Sequence, residues 1–239
     1  MLKVELHAHT CDDPVDNIPH TAEQLIDRAV ELGYGALAIT LHDRQLESPN
    51  LSAYAREKGL VLVPGVERTV CGKHVLLINF PCVAEQVQSF EAIARLKERY
   101  GGLVIAPHPF FPTATCLRRL MDPLAEIFDA VELNHFYTST VNFNRAALRW
   151  AAKHGKTVVG NSDVHFLVQL GRTFTLVDAA PDAASICDAI RAGKVQVRSE
   201  PLSWSQVGSI VGRMLHGWLA AKTRFGEQAV SNPYEGRQA

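Results

Sequence analysis

The chain has 239 residues, 47% hydrophobic and 21% charged, the size and mix of one globular domain. Its formal net charge of −1 gives no global field for nucleic acid or an anionic membrane. No apolar run approaches the roughly 20 residues of a membrane span. The start has no basic segment leading into an apolar one, and the five cysteines (Cys11, Cys71, Cys82, Cys116, Cys187) lack CxxC spacing, so the expectation is a cytoplasmic protein.

Apolar strand-like runs alternate with helical patterns, which predicts an α/β fold with mainly parallel strands. The first run, Leu2–Leu6, leads into His7-Ala8-His9-Thr10. Residues i and i+2 of a strand share a face, so both imidazoles can grip one cation. Asp12 and Asp13 follow in a turn, and one of them is a candidate ligand, with Asp13 preferred. Thr21-Ala22-Glu23-Gln24 has capping-box spacing ahead of Leu25, Ile26, Ala29 and Val30, with Gly33 as the stop. The second strand, Ala36–Thr40, ends at His42. The third, Leu60–Pro64, runs into Gly65-Val66-Glu67, and the two oxygens of Glu67 suit a bridge between two cations.

His74 precedes the fourth strand, Val75–Phe80, and reaches the same end as the others only if the chain reverses after Glu67. Leu103–Ala106 ends in Pro107-His108-Pro109, whose prolines restrict the backbone around the histidine. Ala130–Leu133 ends in Asn134 and His135. Phe143, Ala147, Trp150 and Ala151 form a helical stripe stopped at Gly155. Thr157–Gly160 leads to Asp163 and His165, which repeat the two-residue spacing of the opening motif. Thr173–Val177, a helix carrying Ile186, Ala189 and Ile190 up to Gly193, and a short strand at Lys194–Arg198 complete the pattern. The helical stripes are expected on the barrel exterior. Val207, Ile210, Val211, Met214, Leu215, Trp218 and Leu219 predict an amphipathic helix over 205–223, read either as packing across one end of the fold or as a homo-oligomer interface.

Metal-competent side chains at the ends of successive strands converge on one mouth in an α/β barrel. The segments His7-Ala8-His9-Thr10, Ile39-Thr40-Leu41-His42-Asp43, Gly65-Val66-Glu67, Lys73-His74-Val75-Leu76, Pro107-His108-Pro109 and Ser162-Asp163-Val164-His165 resemble, in order and spacing, the polymerase-and-histidinol-phosphatase (PHP) family. The resemblance covers about residues 2–200, giving a barrel over 1–200 and a helix with a polar tail over 201–239. It implies a distorted (β/α)7 barrel, two or three divalent metal ions (Zn, Mn or Fe) and phosphoester hydrolysis. By the same resemblance, His7, His9, Glu67 and Asp163 hold a first ion. Glu67, His74 and His108 hold a second, and Asp13 or Asp12 with His42 and His165 a third. Leu41 stands where many members have Asp, which is expected to loosen the third position.

A water shared by two cations loses its proton near neutral pH, so a metal-bound hydroxide is the expected nucleophile. His7, His9, Glu67, Asp163 and His165 then form the catalytic set. Arg44, Arg68 and Arg172 are candidates for gripping phosphate, and His135 for substrate contact. The expected substrate is a small phosphorylated metabolite, nucleotide or short oligonucleotide. Basic patches with interleaved aromatics are absent, so tight binding to long nucleic acid is not expected, nor is a membrane. A barrel amidohydrolase is the rival reading, but it would bridge its metals with a strand-borne lysine where this chain has Glu67. A non-catalytic PHP-like scaffold is the other rival, against which stands the retention of nearly all ligands.

Overall fold

The computed structural model describes residues 1–215, within which one unit spans Met1–Leu202 and a second begins at Ser203. The strands are β1 (Leu2–Glu5), β2 (Ala36–Ile39), β3 (Val61–Val70), β4 (Lys73–Ile78), β5 (Leu103–Ala106), β6 (Ala130–Asn134), β7 (Thr157–Asn161), β8 (Thr173–Val177) and β9 (Val195–Ser199). The helices are α1 (Ala22–Glu31), α2 (Pro49–Glu57), α3 (Phe90–Tyr100), α4 (Asn144–His154) and α5 (Ala183–Arg191).

Local chemistry accounts for the helix ends. Thr21 and Gln24 form the reciprocal capping box that opens α1, and Gly33 and Gly155 take positive φ just past α1 and at the end of α4. Helices α2 and α3, which the sequence reading did not assign, open on Ser48 and Ser89, whose hydroxyls accept from the Leu51 and Ala92 amides.

The strands hydrogen-bond in the order β7-β6-β5-β4-β3-β2-β1-β8-β9. Pairs β1–β2, β2–β3, β5–β6 and β6–β7 are parallel, while β4 runs antiparallel to both neighbours. The reversal is a two-residue turn in which Cys71 (φ 51°) and Gly72 (φ 71°) are both left-handed, as a tight hairpin requires. At the mouth β1 and β7 meet, because Val164 N donates to His7 O at 3.2 Å and His9 N to Val164 O at 3.0 Å. β1 through β7 thus form a distorted ring in chain order. On the outer edge of β1, β8 and β9 continue the sheet antiparallel.

Only the inside of a ring lets seven strands contribute to one apolar cluster. Val4, Ala38, Val63, Ile78, Ile105, Ala130 and Val159, one from each strand, share such a cluster with Ile186 and Ile190 of α5. Helix α5 therefore plugs the interior from the end opposite the mouth, which corrects the expectation that its stripe packs outside. The exterior reading holds for Ala147, Trp150 and Ala151 of α4, which packs on β6 and β7 in the outer cluster that also holds α3, but Phe143 is absent from that cluster and 39% exposed.

Gly160 sits where β7 crosses β8. Its amide donates to Thr175 Oγ1 at 2.8 Å, and the Thr175 hydroxyl donates back to Gly160 O at 3.0 Å. A Cβ there would lie 2.7 Å from Val197 Cγ1 and 3.1 Å from the Phe174 carbonyl. In the second unit, residues 204–215 are helical. Ser203 caps them, its hydroxyl accepting from Gln206 N while Gln206 Oε1 accepts from Ser203 N. The remainder of the 205–223 helix expected from sequence lies outside the described residues. Among the described residues no helix is long and apolar enough to cross a membrane.

Gly160→Ala is expected to destabilise the protein by about 1–3 kcal/mol in urea denaturation through overpacking. In a Val197→Ala background the same change should cost less. Equal costs in the two backgrounds would show that the close approach to Val197 does not constrain this position.

Candidate metal centre

Glu67 lies at the centre of the mouth, 1% exposed. Its Oε2 is 3.3 Å from His7 Nε2, 3.4 Å from His9 Nε2 and 3.2 Å from His42 Nε2. Its Oε1 is 2.7 Å from His74 Nδ1 and 3.2 Å from His108 Nε2. Five imidazoles from β1, β2, β4 and β5 thus surround one carboxylate. Asp163 extends the cluster, with Oδ1 3.4 Å from His7 Nε2, 3.6 Å from His9 Nε2 and 3.4 Å from His165 Nδ1.

Each element delivers its side chain for a local reason. The β2–β3 ladder continues past β2 as a parallel bridge between His42 and Glu67, which fixes the height of both. The Cys71-Gly72 hairpin returns the chain along β3, so His74 stands beside Glu67 although it opens a strand. Proline on both sides and a φ of 29° place the His108 ring, and Asp163 takes a φ of 48°. Left-handed backbone at a residue with a side chain is strain held by surrounding contacts. For His108 the restraint is Glu132 Oε2, which accepts its amide at 2.7 Å.

A further layer of acceptors sits behind the imidazoles. Glu132 Oε1 is 2.9 Å from His7 Nδ1. Asp13 Oδ2 is 2.9 Å from His9 Nδ1 and 3.0 Å from His42 Nδ1, and Cys116 Sγ is 3.3 Å from His108 Nδ1. Asn134 Nδ2 donates to Asp163 Oδ2 at 3.2 Å, and Asp16 Oδ2 lies 3.0 Å from His165 Nε2. Such partners orient a ligating imidazole by fixing its tautomer and ring plane.

The residues fit divalent cations. The buried atoms His7 Nε2, His9 Nε2 and His74 Nδ1 have no hydrogen-bond partner although each faces a Glu67 oxygen. Buried ring nitrogens gathered around carboxylate oxygens with no hydrogen bond made between them are donors placed for a cation. The sets His7–His9–Glu67, His42–Glu67–His74 and His9–Asp163–His165 each bring three donor atoms within 4.8 Å of one another, and their N and O chemistry suits Zn, Mn or Fe. The electrostatics agree. Burial opposes charge on His9, but the hydrogen bond to Asp13 and the nearby carboxylates of Asp163 and Glu67 outweigh it and raise the imidazole to about 10. Burial likewise opposes charge on Glu67 and Asp163, and the imidazoles outweigh it, holding both carboxyls well below their usual range. The same field that keeps protons on these rings would favour cations in their place.

All nine residues expected as ligands from sequence lie in or against this cluster. Asp12 instead accepts from Thr10 Oγ1, so of these two neighbours it is Asp13 that reaches His9 and His42. His165, however, faces Asp16 and Asp163, and it is Asp16 that stands at its Nε2. Leu41 is fully buried in the apolar cluster under α1 and α2, so an acid at this position would enter that cluster. Asp16, Cys116 and Glu132 were not found from sequence. Only Glu132 carried a signal, a charge inside the apolar run Ala130–Leu133.

The arginines are placed unequally. Arg172 precedes β8, whose antiparallel course puts its start at the mouth end, and its guanidinium is 3.6 Å from Glu200. Arg44 is exposed and reaches the Asp12 carbonyl at 3.5 Å. Arg68 is committed to Asp43 and the Val87 carbonyl. His135 is 2% exposed, and its Nε2 accepts from Gln169 Nε2 at 3.2 Å. Gln169 Oε1 in turn accepts from the His165 and Phe166 amides, so the contact of His135 is with the support of the His165 loop. Two aromatic rings that the sequence reading did not assign to the site border it: Phe111 packs edge-on against His108, with centroids 6.5 Å apart, and Phe143 lies 5.3 Å from Phe111.

Comparison with known proteins bears on this geometry. Residues 141–195 match the family described as PHP-associated. A PolC-type DNA polymerase III from Streptococcus pyogenes is 40% identical over 68 residues, 28% of this chain and 5% of that protein. The chain thus spans about one twentieth of the curated relative it matches. Its fold resembles that of a two-domain protein from Bacteroides vulgatus containing a predicted PHP-like metal-dependent phosphoesterase, with a TM-score of 0.64 and 17% identity over 89% of this chain and 69% of the other. It also resembles the lesion-specific endonuclease Q of Pyrococcus furiosus, with a TM-score of 0.57 and 19% identity over 82% of this chain and 57% of that one.

Burial, only partly offset by Asp163 and Glu132, lowers His135 to about 4. Its neutral ring therefore contributes stability that is fully present above the unfolded value near 6.5 and is lost as pH falls through about 4. His135→Asn should flatten the acid limb of the stability curve, by roughly 3 kcal/mol at most between those limits. Parallel pH profiles of unfolding free energy for the two proteins would expose an error in this assignment.

Proposed function

We propose that this chain is a member of the PHP family and a metal-dependent phosphoesterase hydrolysing a small phosphorylated metabolite, nucleotide or short oligonucleotide, a reading supported by the PHP-associated match and the PHP-like fold. The observation that carries the reading is the Glu67 carboxylate shared among five imidazoles in a buried mouth. His7, His9, Glu67 and Asp163 would hold one divalent ion, and Glu67, His74 and His108 a second. His42, His165 and Asp13 would hold a third, with Asp16 beside His165. Such ions, two or three per chain, supply Lewis-acid activation of water and neutralise the phosphoryl oxygens.

The protein's own groups do the positioning. Glu132 fixes the tautomer of His7 and Asp13 that of His9, and Asn134 fixes the Asp163 carboxylate. The exposed guanidinium of Arg44 and the half-exposed one of Arg172 would turn from their long contacts with the Asp12 carbonyl and Glu200 to meet a phosphate at the rim. Arg68 acts indirectly, by holding Asp43 in the turn after His42. His135 acts through Gln169 on the His165 loop. The Phe111–Phe143 pair beside His108, its rings tilted by 52°, offers apolar ring surface to an aryl or base group on the ester. Likeness to an endonuclease and to a segment of a DNA polymerase accords with diesters as well as monoesters.

Two experiments test the reading. Protein purified without chelator should contain two or three ions by mass spectrometry and turn over p-nitrophenyl phosphate or its bis-ester with Mn or Zn. Glu67→Ala should lose both properties by at least about 100-fold, since the bridge and its orienting contacts go together. Wild-type turnover in that variant would sink the mechanism. Phe111→Ala and Phe143→Ala should each lower kcat/KM for nucleoside phosphates about tenfold, the value of one stacked ring, and leave glycerol phosphate turnover unchanged. Equal losses on both substrates would argue against a stacking role.

A further inference from the structure

Four imidazoles of the cluster share one arrangement. Each turns Nε2 toward Glu67 and Nδ1 toward a buried acceptor. For His7 the acceptor is Glu132, at 2.9 Å, and for His9 and His42 it is Asp13, at 2.9 and 3.0 Å. For His108 it is the sulfur of Cys116, at 3.3 Å, with the opposite ring nitrogen 3.2 Å from Glu67 Oε1. Cys116 is 1% exposed, and its Sγ also lies 2.9 Å from Thr113 Oγ1. If the thiol proton goes to the Thr113 hydroxyl, a sulfur lone pair remains for the Nδ1–H of His108. The loop is anchored at both ends of this contact. Thr115 O accepts from His74 N at 2.9 Å, and Pro109 O accepts from Arg118 N at 2.8 Å.

We propose that Cys116 is a positioning residue for the metal centre: its sulfur holds the proton of His108 on Nδ1 and so leaves Nε2 as the cation-facing atom. The proposal rests on the reading of His108 as a metal ligand. A buried cysteine is ordinarily a small apolar side chain, and as such it would be replaced by alanine without effect on the ions. The positioning role has a different signature. Loss of an orienting partner weakens a metal site by about 10- to 100-fold while its ligands stay in place. Sulfur is also a weaker acceptor than the carboxylates behind His7 and His9, so the ion at His108 should be the first of the set to leave.

The test is stepwise removal of Zn by a competing chelator, followed by mass spectrometry and an ion-indicator dye, on the full chain and on Cys116→Ala, Cys116→Ser, Cys116→Asp and His108→Ala. Circular dichroism checks that each variant is folded. The expected result is one ion per chain released at a 10- to 100-fold lower chelator concentration in Cys116→Ala, with partial recovery in Cys116→Ser and full recovery in Cys116→Asp. Should Cys116→Ala not fold, the order Asp above Ser carries the same information. A release curve for Cys116→Ala that superimposes on the wild type overturns the proposal, as does a Cys116→Asp variant no tighter than Cys116→Ser. If His108→Ala keeps every ion, it is the ligand assignment that fails instead, and with it the premise.

Discussion

One buried negative charge organises this molecule. A carboxylate enclosed as completely as that of Glu67 is tolerated only when opposite charge or hydrogen bonds replace the lost water. Five imidazoles provide that replacement, and each must be held in a particular orientation to do so. The acceptors behind them follow from this need: Glu132, Asp13 and Cys116 each bind the far nitrogen of a ring whose near nitrogen faces Glu67. The result is a set of nested shells in which Glu67 and the acceptors behind it share the same imidazoles.

The barrel is shaped to bring those shells together, at a cost in regularity. A regular parallel barrel would put His74 at the end away from the mouth. The antiparallel β4, entered through the left-handed pair Cys71 and Gly72, reverses that placement. Positive φ at Asp43, His108 and Asp163 marks the residues that leave strand geometry at the rim. The regular hydrogen bonding of β1 and β7 is given up below the mouth, where Asn161 Oδ1 instead accepts from the Leu6 amide at 3.2 Å. Glu5 enters the same gap. Its carboxylate accepts from the His7 and Ser162 amides, and burial pushes its carboxyl up to about 8. The apolar interior plugged by α5 supplies the stiffness against which this strained rim is held.

What the sequence by itself determined were features written in local order. Strand runs ending in His7-Ala8-His9, His42, Glu67, His108 and Asp163-Val164-His165 depend only on period-two alternation and on the chemistry of the residue that follows. The capping box of α1 and the glycines that stop α1 and α4 are equally local. The tertiary structure decided everything that needs two distant segments to meet. It chose Asp13 over Asp12, because one of two neighbouring turn carboxylates reaches both His9 and His42. It set Asp16, 149 positions away in sequence, at His165. It moved Leu41 and Phe143 out of the roles their neighbours suggested, and placed α5 inside the ring instead of outside it. Glu132 and Cys116 became part of the centre for the same reason. A hydrogen-bond partner behind a ligand is specified by distance and angle across the barrel, and no spacing along the chain encodes either.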